Sequence, residues 1–78
     1  MIDQKLSTRA FAVQAKLENR MGTQYSRLAR PIWVELNSAH KKYLDNPTND
    51  YKNYLERIVV KAETLVENTK ETKNNVIY

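Results

Sequence analysis

Residues 31–65, PIWVELNSAHKKYLDNPTNDYKNYLERIVVKAETL, decide the fold. Ile32, Leu36, Ala39 and Tyr43 recur at the spacing of one face of an α-helix, and Tyr51, Leu55, Ile58, Ala62 and Leu65 repeat the pattern. Tyr54, Val59 and Val66 widen the second stripe, so it must touch more than one neighbour. Between the stripes, Asp45-Asn46-Pro47-Thr48 has the composition and length of a turn that joins antiparallel helices. The predicted unit is a helical hairpin, with helix 2 over residues 31–44 and helix 3 over residues 49–73. Asn74-Asn75 should end helix 3, leaving residues 74–78 as a short apolar tail that docks or frays.

Towards the N-terminus, Leu6, Ala10, Val13, Leu17 and Met21 form another stripe of helical period and predict helix 1 over residues 3–21. Asp3 is placed to cap its start, and Gly22 supplies the left-handed residue that commonly ends a helix. The connection is ambiguous, because Tyr25 and Leu28 extend the helix 2 stripe backwards through Pro31. Either a helix starts near Thr23 and kinks at Pro31, or a turn ends near Arg30 and Pro31 opens helix 2. The second reading is preferred, since Pro at the first helical position loses no hydrogen bond. The expected fold is an all-α three-helix bundle, one domain over residues 1–78, with helix 1 packed across the hairpin.

A chain of 78 residues removes only about 60% of its unfolded surface from water on folding, so a homodimer is one way to complete its core. The absence of cysteine excludes disulfides and thiolate metal sites. No apolar run approaches the roughly 18 residues of a membrane span, and the N-terminus has no signal-peptide stretch, so the expected location is cytoplasmic. Helix 1 also lacks Trp and carries small Ala10 and Ala12, which argues against a membrane-surface role.

All of the net charge of +4 resides in the first thirty residues, where Lys5, Arg9, Lys16, Arg20, Arg27 and Arg30 face only Asp3 and Glu18. On a continuous helix Lys5, Arg9, Lys16, Arg20 and Arg27 would form a ridge suited to an anionic partner. The competing expectation is internal. In an up-down-up bundle helices 1 and 3 run parallel, and Glu56, Glu63 and Glu67 would face the basic flank of helix 1.

Chemistry-bearing constellations are weak. His40, the only histidine, projects inward between Leu36 and Trp33, which favours a half-buried ring with one hydrogen-bond partner over a catalytic base. Residues 45–56 space like a calcium loop, but Pro47 takes a ligand position and Asp50 stands where glycine is required. No cofactor, metal site or catalytic residue is expected, and the chain reads as non-enzymatic.

Phe11, Val34 and Val60 fall off the apolar stripes. Phe11 beside small Ala15 suits a helix-mediated contact, although coverage by the rest of the chain competes, and Trp33 is either core or anchor. The expected partner-binding set is Arg9, Phe11, Lys16, Arg20, Tyr25, Arg27, Arg30 and Trp33. By analogy with the tiny accessory proteins of phages and plasmids, the expected function is regulation or inhibition of a larger protein or nucleoprotein complex that offers an acidic surface. The alternative is a helical dimer that binds DNA or RNA phosphates directly.

Overall fold

The computed structural model describes residues 2–69. They form three helices, α1 (Gln4–Glu18), α2 (Ser26–Asp45) and α3 (Asn49–Asn68), in an all-α bundle. Leu6, Ala10, Val13 and Leu17 of α1 bury against Leu36, Ala39 and Tyr43 of α2 and Leu55, Val59 and Ala62 of α3. Each of the buried Val and Leu side chains contributes about 1.5–3 kcal/mol by leaving water. Ala10, Ala29, Ala39 and Ala62 are wholly buried, and these small residues let the helices approach closely.

Local signals set most of the helix ends. The Asp3 carboxylate accepts from the Leu6 N–H at 3.1 Å, and the Thr48 hydroxyl accepts from the Tyr51 N–H at 3.2 Å, capping α1 and α3. Hydrogen bonding from Leu6 holds the Asp3 carboxyl below its ordinary range. Asn46 to Thr48 turn the chain between α2 and α3, forming the expected antiparallel hairpin.

Helix 1 ends three residues earlier than expected. After Glu18 the chain tightens into three-residue turns, Arg20 N–H to Leu17 carbonyl and Met21 N–H to Glu18 carbonyl, before Gly22 reverses it at φ +82°. Such turns satisfy carbonyls that the α-helical pattern would leave open.

The preferred start of α2 is corrected. The helix begins at Ser26, and Pro31 is its sixth residue rather than its first. Proline has no N–H for the Arg27 carbonyl, but Arg27 and Pro31 are both exposed, where water can take that role. The compensating gain is Ala29, which the extra turn carries into the core. That register also moves Leu28 out of the expected stripe, leaving it 56% exposed.

The described part of α3 ends at Asn68, with the Thr69 N–H bonded to the Leu65 carbonyl. The remainder of the expected helix 3, residues 70–73, and the tail over residues 74–78 lie outside the described residues.

Candidate functional site

Bundle geometry separates side chains that adjoin in sequence. Arg9, Lys16 and Arg20 lie on the α3 side of α1, whereas Phe11 and Glu18 lie on its α2 side. The basic ridge and the apolar candidates are therefore on different faces.

On the α3 side, Arg9 makes a two-point contact with Glu63. Its Nε donates to Oε2 at 3.1 Å and its Nη2 to Oε1 at 2.7 Å. This hydrogen bonding raises the Arg9 guanidinium pKa and lowers that of the Glu63 carboxyl, with Lys16 adding to the lowering. Arg20 is spent on helix ends. Its guanidinium donates to the Val66 carbonyl at 2.9 Å, to the Thr69 hydroxyl at 3.1 Å and to the Lys16 carbonyl at 3.3 Å. The Val66 and Lys16 carbonyls lie in the last turns of α3 and α1, so one cation closes both C-termini. The competing internal expectation thus holds for Arg9, while Lys5 and Lys16 stay exposed along the same flank.

The α1–α2 face is built differently. Phe11 is 60% exposed, with its ring edge-on to His40 at 4.6 Å between centroids. His40 itself is buried and shares a 2.8 Å hydrogen bond with the Ser7 hydroxyl through Nε2. Burial pushes the imidazole pKa down. The ring is thus covered more deeply than the half-buried one expected, and Ser7 is its hydrogen-bond partner.

Further along this face, Trp33 is half-buried and donates from Nε1 to Glu18 Oε2 at 3.2 Å. Its indole forms part of a cleft of about 490 Å³ lined by Glu18, Met21, Arg30, Trp33 and Val34. Val34 is 53% exposed. Arg27 and Arg30 are exposed on the outward side of α2. Tyr25 lies elsewhere, in a cleft at the end of the bundle with Arg20, Gln24 and Thr69.

Of the expected partner-binding residues, the fold brings Phe11, Arg30 and Trp33 to the α1–α2 face, with Arg27 adjacent on α2. It sets Arg9 and Lys16 on the α1–α3 seam, and Arg20 and Tyr25 at the bundle end. Sequence reasoning left Val34, Met21 and Glu18 out of the site. Val34 carried a usable signal, since it lies off the apolar stripe one residue from Trp33; Glu18 and Met21 join only because α1 packs antiparallel to α2. Among the described residues, no cluster of three or more His, Cys, Asp or Glu side chains is arranged to hold a metal, and no helix is long and apolar enough to cross a membrane.

The chain matches no protein-family model, no curated protein and no solved structure.

Proposed function

We propose that this chain is a non-enzymatic binding protein that regulates or inhibits a larger protein or nucleoprotein complex, docking through its α1–α2 face. The observation that carries the reading is the exposure of Phe11 and Val34 at 60% and 53% on the face that also presents Trp33 and Arg30. Exposed aromatic and aliphatic groups around a cleft, edged by arginine, have the chemistry of interface anchors. The basic ridge of α1 is a weaker candidate, because Arg9 and Arg20 already serve Glu63 and the helix ends. Direct phosphate binding loses the same two cations, and it gives the apolar groups nothing to do.

The test is an affinity pull-down from cell extract, with and without nuclease, comparing the native chain with the Arg27→Glu/Arg30→Glu double variant. Substitutions at Arg20 are unsuitable, since they would also open the ends of α1 and α3. A discrete protein band that survives nuclease and is lost with the variant supports the reading. Recovery of nucleic acid alone, abolished by nuclease, replaces it with nucleic-acid binding.

A further inference from the structure

The outward side of α2 carries a line of cations. Arg27, Arg30 and Lys41, at intervals compatible with one helical face, are exposed, and Val34 lies on the same line. None of the three cations takes part in an ion pair among the described residues. Of the two acids of α2, Glu35 turns towards α3, where it accepts from the Tyr54 hydroxyl at 3.1 Å and lies 4.0 Å from Lys61, and exposed Asp45 follows Lys41 by one turn on the cationic line, far from the cleft. The acid that α1 contributes to the cleft, Glu18, already accepts the Trp33 N–H. The face therefore combines an apolar cleft, with the Glu18 carboxylate on its α1 rim, and two arginines, Arg27 and Arg30, that take part in no ion pair among the described residues.

We infer that the α1–α2 face receives an acidic amphipathic helical segment of a protein partner. One large apolar side chain of that segment enters the cleft between Met21, Trp33 and Val34, and its carboxylates meet Arg27 and Arg30. This rests on the protein-binding reading above and specifies the partner's chemistry. Arg27 and Arg30, exposed beside the cleft and in no ion pair among the described residues, favour an occupant that carries carboxylates. A second copy of the chain is the competing occupant, because a two-fold contact with antiparallel α2 helices would bring Arg27 towards the other copy's Asp45; concentration-dependent shifts of the Trp33 and Val34 signals without peptide would assign the face to it and overturn the inference. Phe11, with its ring against His40, is a second apolar contact on the same face, separated from the cleft by the hydrogen-bonded pair Gln14 and Asn37, and an occupant reaching both is a helix of more than two turns.

The test uses the full chain, isotopically labelled, titrated with a synthetic helical peptide bearing Leu on one face and Glu on its flanks. A control peptide has every Glu replaced by Lys. The expected result is saturable shifts of the Trp33 indole N–H and the Val34 amide with the acidic peptide only. Affinity should fall roughly tenfold or more in both Arg30→Glu and Val34→Asp. Lys16→Glu, on the opposite side of α1, should change it little. Far-ultraviolet circular dichroism of each variant separates lost binding from lost folding, and Arg30→Gln provides a milder second variant for the same site. Equal binding of both peptides, no binding of either, or shifts confined to the α1–α3 seam would overturn the inference. The pull-down distinguishes the two levels. A captured protein whose retention depends on Lys16 but not on Arg30 or Val34 preserves protein binding and removes this assignment, whereas capture of nucleic acid alone removes both.

Discussion

The Tyr43 hydroxyl, near the end of α2, accepts a 2.7 Å hydrogen bond from the backbone N–H of Asp3, forty residues away. The ring is almost wholly buried, and its oxygen ties down the residue that caps α1. Asp3 is held a second time by Lys52 of α3, 3.4 Å from Oδ2, so all three helices meet at this end. Tyr43→Phe keeps the ring and removes the hydroxyl, and should cost about 0.5–1.5 kcal/mol. Tyr43→Ala also empties part of the core and should cost about 3–5 kcal/mol. Urea unfolding of the three proteins measures both; equal stability of Tyr43→Phe and the native chain would show that the bond adds nothing.

His40 makes stability depend on pH in a definite direction. Its folded pKa lies below the ordinary histidine value because burial disfavours the charged ring. Above about pH 6.5 the ring is neutral in both states, so its contribution is complete. As the pH falls below that value the unfolded chain takes up a proton first, and stability declines until the folded pKa is reached. Urea midpoints should therefore be lower at about pH 5.5 than at about pH 7.5, and His40→Asn should flatten the difference. An unchanged slope in the variant would assign the pH dependence to other groups.

The contact between Arg9 and Glu63 looks strong but is half-exposed, with side-chain exposures of 42% and 40%. Solvent screening limits its value to about 0–1 kcal/mol, towards the upper end because the guanidinium engages both carboxylate oxygens. Glu63→Gln should destabilise by less than about 1 kcal/mol, and the difference should shrink in roughly 1 M salt. The Glu63 carboxyl has its pKa lowered, so the benefit is present above its ordinary range and disappears as the pH falls through the lowered value. A loss several times larger, insensitive to salt, would contradict this account.

Pro31 interrupts the hydrogen bonding of α2 without entering the core. Pro31→Ala should restore a donor for the Arg27 carbonyl and raise stability by about 1–2 kcal/mol. The full helical penalty of proline, about 3 kcal/mol, is reduced by the freedom the unfolded chain regains. Thermal unfolding measures the change. A decrease would mean that α2 needs the proline to enter the bundle at its present angle.

The amino-acid sequence by itself determined the number of helices, their apolar faces, the Asp3 cap and the hairpin at Asn46 to Thr48. These features depend on periodicity and on hydrogen bonds within a few residues. The sequence also contained the charge asymmetry, but not its use. Tertiary packing decided that Arg9 meets Glu63, that Arg20 closes two helix ends, and that Phe11 shares a face with Trp33 instead of the ridge. It also decided that α2 runs through Pro31, because burying Ala29 offsets a missing hydrogen bond at an exposed position. A helical period says which side chains share a face, whereas the neighbour that covers that face is set by how three helices pack together.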